Sequence, residues 1–304
     1  MGYTPMMLWV DTDDTDGTNT MRWSPGGELT GQEETWSPQE ISWGSQRHTT
    51  AAPALARHVD GVYAAWVEPD HYIYTSRLGD SPTSDQNTTV WSVPTSTGFQ
   101  TAQRPAIASY AGRLYLAWKD RTEGTIHWAP GSAAGWEIAV ATPWRTTYGP
   151  ALGSSLFAGL FMAWRGDTPD SQLHWTQFNY HDLWFDGPDN RFGGWTAASP
   201  TLVGTFGHIY MGWRGDQTAD FNDTRLWWSR YDGGWAEQRP LDGWSTTGPG
   251  LATSDGQTVY MAYTEQFPQE GHGQIWWTHS TPSLDWTGQQ PLGSRKTYFS
   301  PAIV

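Results

Sequence analysis

The segment FMAWRGD at residues 161–167 returns as YMGWRGD at residues 210–216, and this pair belongs to a longer internal repeat. GPALGSSLFAGLFMAWRGD, from Gly149, aligns with SPTLVGTFGHIYMGWRGD, from Ser199. Related stretches are APALARHVDGVYAAWVE from Ala52, RPAIASYAGRLYLAWKD from Arg104 and GPGLATSDGQTVYMAYTE from Gly248. The anchoring prolines are Pro53, Pro105, Pro150, Pro200, Pro249 and Pro301, about fifty residues apart. The aromatics that close the second segment are Trp9, Trp66, Trp118, Trp164, Trp213 and Tyr263. A repeat of this length marks a stacked or radial array, because one such unit buries too little apolar surface alone.

Each unit reads as four strands. The first follows the proline, and the second is the apolar run ending in the aromatic. The third contains Met21-Arg22-Trp23, Ile73-Tyr74-Thr75, Ile126-His127-Trp128, Leu173-His174-Trp175, Leu226-Trp227-Trp228 or Ile275-Trp276-Trp277. The fourth is expected to begin near Trp36, Trp91, Trp136, Trp195, Trp235 or Trp286. A second strand apolar at every position suits a sheet covered on both faces. The small residue before the aromatic (Ala65, Ala117, Ala163, Gly212, Ala262; Leu8 is the exception) is expected to leave room for a large aromatic of the next sheet.

These features predict an all-β, six-bladed β-propeller of four-stranded antiparallel blades. The chain opens with a second strand, Met7-Leu8-Trp9-Val10, and stops after a first strand, Pro301-Ala302-Ile303-Val304. The C-terminal strand should therefore complete the N-terminal blade. One domain over 1–304 is expected, with blades at 301–304 plus 6–41, 53–96, 105–143, 150–198, 200–243 and 249–292. A β-helix or a pair of β-sandwiches is the alternative.

Composition supports this and narrows function. The chain carries 22 Trp, 13 Tyr, 34 Gly and 20 Pro, and no segment shows sustained helical periodicity. A net charge of −14 repels phosphate, so nucleic acid is not an expected partner, nor is an anionic membrane. With no cysteine there is no disulfide and no thiolate chemistry. No signal peptide or long apolar run is visible, so no membrane insertion is expected; the location is left open, cytoplasmic or non-classically released as the sequence is written, because a signal removed beforehand would leave the same sequence.

Antiparallel order places the connection into strand one and the hairpin between strands two and three at the same end of each blade. Those hairpins are polar and variable (RGDTPDSQ, RGDQTADFNDTR, TEQFPQEGHGQ), which marks that end as the functional face. Every unit sets an acid just beyond the aromatic: Asp11, Glu68, Asp120, Asp167, Asp216 and Glu265. Half add a base, Lys119, Arg165 or Arg214. Alternation in strand three sends the shared tryptophans to one side, as packing, and Arg22, Tyr74, His127, His174, Trp227 and Trp276 to the other. The duplicated Arg-Gly-Asp is thus a shared hairpin design; its arginine follows a strand-ending tryptophan, which disfavours an adhesion signal.

An aromatic platform flanked by Arg, His, Asp or Glu fits the apolar face and hydroxyls of a sugar. The expected function is carbohydrate binding at several weak sites between blades, gaining by avidity on glycans or other small neutral ligands. The candidate ligand-binding residues are Lys119, Asp120, His127, Arg165, Asp167, His174, Arg214, Asp216, Trp227 and Trp276. Six aromatic-rich blades with sites between them resemble the fungal and bacterial fucose-binding propeller lectins; the resemblance covers the whole chain as architecture and carries over no site residue.

The alternative is an enzyme working at the central channel, a hydrolase or lyase on an anionic or glycosidic substrate, with Arg47, His48, Arg104, Arg145 and Tyr148 at the entrance. Against it, the six first strands hold no carboxylate, whereas a glycosidase needs two that face each other. Ser229 to Trp235 lacks the spacing of a sialidase Asp-box. No cofactor is expected. Calcium is the ion considered, because Asp11 to Gly17 resembles a calcium loop, although Thr12 and Trp23 break its ligand pattern. Asn87 and Asn222 open glycosylation sequons that matter only on export.

Overall fold

The computed structural model describes residues 5–11, 20–25, 39–40, 48–80, 89–179, 185, 187–216, 223–253, 255–265, 273–281, 283 and 285–304. Arg47, the acidic stretch 12–17, Trp36, Asn87 and Asn222 lie outside these residues.

Six antiparallel sheets follow one another, and within each the strands pair in sequence order, except that Thr95–Gln100 and Val140–Arg145 pair back with the third strands of blades two and three. Their second strands are Met6–Asp11, Gly61–Val67, Arg113–Lys119, Gly159–Arg165, Ile209–Arg214 and Val259–Thr264. Their first strands start directly after the six prolines, at Ala54, Ala106, Ala151, Thr201, Gly250 and Ala302. The protein is a six-bladed propeller with no helix among the described residues. Closure is as expected: Ala302–Ile303 pairs with Met6–Asp11, and Met6 and Val304 exchange backbone hydrogen bonds of 2.7 and 2.8 Å.

The fourth strands depart from expectation. They are Gln39–Glu40, Thr95–Gln100, Val140–Arg145, Asn190–Trp195, Arg239–Trp244 and Gln290–Thr297. Most start several residues beyond the tryptophans assigned to them, and Trp195 ends its strand. Trp91 and Trp136 sit in short extra strands, Thr89–Trp91 and Gly135–Trp136, while Trp235 and Trp286 form isolated bridges. The last strands of blades two, three, five and six end at Gln100, Arg145, Trp244 and Thr297.

Packing explains the displaced tryptophans. Each reaches back to the third strand of the preceding blade: Trp91 to Trp23, Trp235 to Trp175 and Trp286 to Trp228, with ring centroids 5.8–5.9 Å apart and near perpendicular. In blade four Phe178 and Phe185 take this place against Trp128. The shared third-strand tryptophans are therefore the receiving half of an inter-blade joint, as their common side implied. Edge-to-face aromatic pairs add roughly 0.5–1.5 kcal/mol each beyond the area they bury.

A second joint uses the outer strand in the other direction. Phe99 stacks on Trp118 of the next blade at 4.4 Å, and Trp144 stacks on Trp164 at 4.9 Å. The small residues before the strand-two aromatics share core clusters with an aromatic of the next blade, Ala65 with Trp118, Ala117 with Trp164, Ala163 with Trp213 and Ala262 with Trp9, as expected. At Gly212 the space is shared: an added Cβ would meet Thr201 of its own blade and Pro249 and Leu251 of the next, at 3.2–3.4 Å.

One feature of the crossovers was not anticipated. Four residues before each blade proline stands a hydroxyl: Thr49, Thr101, Thr146, Thr196, Ser245 and Thr297, all buried. Thr146 donates to the carbonyls of Tyr148 and Arg165, and Ser245 donates to that of Thr264. These bonds tie the turn between blades to the next second strand, satisfying backbone groups that leave the sheet ladder there.

Candidate functional site

The hairpin face is built on a row running across each blade from the strand-two aromatic to its cross-strand partner. The pairs are Trp9–Arg22, Trp66–Tyr74, Trp118–His127, Trp164–His174, Trp213–Trp227 and Tyr263–Trp276. Each strand-three member meets a carboxylate of its own hairpin. Tyr74 donates to Asp70 at 3.0 Å, Trp227 to Asp223 at 2.9 Å and Trp276 to Glu265 at 2.7 Å. Arg22 pairs with Asp11, and His127 lies in the field of Asp120. His174 is buried with Nε2 3.0 Å from Asp170 and Nδ1 2.6 Å from Asp189, its ring stacked on Trp164.

Asp70, Asp170 and Asp223 did not stand out in the sequence. Their signal is a carboxylate four positions before the strand-three residue, the offset that lets a tight hairpin fold back onto its own strand. Burial pushes the Asp170 and Asp223 carboxyls up, but hydrogen bonds from backbone N–H groups and from His174, Arg225 and Trp227 outweigh it and hold both below the usual range. Asp120 follows the same balance: burial raises it, and the N–H groups of Thr122 and Glu123 with the Thr122 hydroxyl, each at 2.8 Å, lower it further.

The duplicated Arg-Gly-Asp can now be decomposed. Arg165 and Arg214 are buried, and their Nε atoms donate to the carbonyls of Thr196 and Ser245, just past the outer strand of their own blades, at 2.8 and 2.7 Å. Burial lowers the Arg214 guanidinium, with Tyr148, Asp216 and Asp223 opposing. A Cβ on Gly166 would stand 2.8 Å from the Asp170 carboxylate, and one on Gly215 2.8 Å from that of Asp223, so glycine clears the path for the folded-back acid. Asp167 receives Arg145 from the preceding blade at 3.0 Å; Asp216 is buried. Lys119 is partly exposed at the equivalent site of blade three. Of the residues singled out, Arg165, His174, Arg214 and Asp216 are thus buried within the blade framework, while Asp167, Trp227 and Trp276 are partly open.

The proposed channel entrance is split. Arg104 lines the narrow end of the channel with Pro105, Pro150 and Pro200, a chamber of about 40 Å³, and burial pushes its guanidinium down to about 10. Tyr148 lies under Arg165, whose guanidinium carbon is 5.4 Å from the ring centre. Arg145 points to the blade boundary and His48 bridges to Thr20. The wide chamber, about 340 Å³, opens at the opposite face among Leu55, Ile107, Leu152, Leu202, Leu251 and Ile303, with Asp255 its one carboxylate among the described residues. Among the described residues no group of three or more His, Asp or Glu gathers to hold a metal.

Two features missed in the sequence face solvent. Trp195 and Trp244 occupy the same position, five before the blade proline, at the hairpin end of blades four and five, and are 48% and 54% exposed. A cleft of about 410 Å³ opens between blades four and five, lined by Phe192, Trp235, Ala236, Glu237 and Gln238.

No protein-family model and no curated protein matches the sequence. Solved structures do match in fold. AofleA from Arthrobotrys oligospora superposes with a TM-score of 0.62 at 11% identity, over all of this chain and 89% of that one. A mutant of Aleuria aurantia lectin in complex with α-methyl-L-fucoside gives 0.58 at 12% identity, over 95% and 96%. The chain has the architecture of the fucose-binding propeller lectins. SapL1 lectin, in complex with α-methyl fucoside, gives 0.52 at 12% identity over 79% of this chain and 81% of its own. At these identities the likeness is one of fold.

Proposed function

We propose that this propeller binds carbohydrate at sites between its blades, on the face that carries the strand two to three hairpins. The observation that carries the reading is the exposure of Trp195 and Trp244 at one repeat position in adjacent blades. Most tryptophans of the chain have packing partners; an indole held in water on a rigid strand end loses hydration free energy unless a ligand covers it. A pyranose offers the matching C–H face, and the neighbouring Asp167, Asp223, Arg225 and Glu265 offer acceptors and donors for hydroxyls. The buried Arg165 and Arg214 serve this face by fixing the strand ends from which it is built, while Lys119, Asp120, His127, Trp227 and Trp276 form its polar and aromatic floor in blades three, five and six. The cleft of Phe192, Trp235, Glu237 and Gln238 has the same aromatic and polar composition. The lectins of like fold support the reading, several being solved with fucosides.

A glycan array with the purified protein, run with and without added calcium, tests it directly. Trp195→Ala and Trp244→Ala should each weaken binding about tenfold, the equivalent of ~1.4 kcal/mol, with little change in stability. An array on which nothing binds, together with turnover on a panel of glycosides or esters, would replace this reading with channel catalysis.

A further inference from the structure

Among the described residues, the exposed aromatics at the hairpin end are not spread around the ring. Five residues before the blade prolines the chain places His48, Gln100, Arg145, Trp195, Trp244 and Lys296, so a solvent-facing ring occurs at this position only in blades four and five. The next crossover, from blade six to blade one, adds Tyr298, 50% exposed. Three aromatic surfaces therefore follow one another over consecutive crossovers at one end of the molecule, along a single arc. Independent pockets for a terminal sugar would repeat the platform in every blade, because each pocket needs its own. A run confined to neighbouring blades instead suits a ligand that is itself continuous.

Polar groups accompany the arc in step with it. Gln172 lies across from Trp195 in the sheet register, Arg225 across from Trp244, and Gln274 across from Lys296. Arg225 is exposed, stands 4.9 Å over the Trp227 ring and is paired with Asp223 at 2.9 Å, so it is fixed beside the exposed indole of Trp244. Asp167, Asp223 and Glu265 stand on the adjoining hairpins, the first two paired with Arg145 and Arg225, so the arc offers no surplus of positive charge, in a chain whose net charge is −14. Uronate or sulfated chains would be repelled, and neutral sugars would not.

We infer that blades four to six carry one extended site for a linear, neutral glycan that is long enough to be held at intervals by Trp195, Trp244 and Tyr298. The inference rests on the carbohydrate-binding reading above and narrows it from terminal sugars to chains. Affinity should rise with chain length, since a longer chain reaches a second aromatic without a new loss of translational freedom.

The test is calorimetry on four neutral series, cello-, xylo-, manno- and chito-oligosaccharides from dimer to hexamer, beside α-methyl-L-fucoside and an oligogalacturonate. At least one neutral series should tighten about tenfold or more from dimer to hexamer, the uronate should not bind, and Trp244→Ala should flatten the rise. Phe157→Ala, on the opposite face, should leave it intact. Equal affinity for fucoside, dimer and hexamer would overturn the extended site while leaving a terminal-sugar lectin. A length-dependent rise that survives both Trp244→Ala and Trp195→Ala would overturn the assignment to this arc. Failure of every sugar to bind would remove this inference together with the reading beneath it.

Discussion

The two Arg-Gly-Asp segments share one hairpin design, yet the blade boundaries beside them are finished differently. At the boundary between blades three and four, Arg165 also donates to Thr147 at 2.7 Å and covers Tyr148, and Arg145 reaches Asp167. Between blades four and five the corresponding crossover residues are Ala197 and Ala198, and Trp195 stands where Arg145 stood. The same hairpin is sealed by polar bonds on one side and left with small residues and an exposed indole on the other. A repeat thus conserves the part that builds the blade and varies the part that meets solvent.

Four experiments would break or sharpen this contrast. The largest effect is expected for Gly204→Ala: a Cβ there would lie deep inside contact distance of the Ser154 carbonyl, where the first strands of blades four and five run closest. A loss of about 3 kcal/mol in chemical denaturation is expected, against little change for Gly207→Ala, which has open space. Next, Arg165→Ala should cost about 3 kcal/mol and Arg214→Ala about 2, because only the former also loses the Thr147 bond; equal losses would show that the extra bond adds nothing. Third, Asp170 and Asp223 both titrate below their unfolded values, so their stabilisation is complete above about pH 4 and fades as pH falls through the lower folded values. Asp170→Asn and Asp223→Asn should each flatten the acid limb of a stability profile. Finally, Arg145→Ala should change stability by less than about 0.5 kcal/mol, since both partners of that ion pair are solvent-exposed; a larger loss would mean that the seal is structural after all.

The fold was legible because repetition multiplies a weak local signal six times: proline, apolar run and aromatic recur in register even where single strands are short. The outer strands were misplaced because their tryptophans pack on the preceding blade, a partner distant in sequence, and so say little about where their own sheet pairs. At the site, the hairpin acids and bases were visible but their burial was not. Arg165 and Arg214 look like ligand-facing groups until the carbonyls of Thr196 and Ser245 are in place. Trp195 and Trp244 were overlooked because a tryptophan-rich chain gives no local mark of exposure. The usable mark was irregularity, since a position holding His, Gln, Arg, Trp, Trp and Lys in turn is not under packing control.

The clasp between Ala302–Ile303 and Met6–Asp11 has a consequence in time. Blade one gains its innermost strand from residues nearly three hundred positions away in sequence, so during synthesis its apolar Met7, Leu8 and Trp9 must wait for Ala302–Ile303 to emerge. Contacts of such sequence separation form slowly. Ring closure is therefore expected as a late folding event, with the Met6–Asp11 strand the surface most in need of protection until it happens.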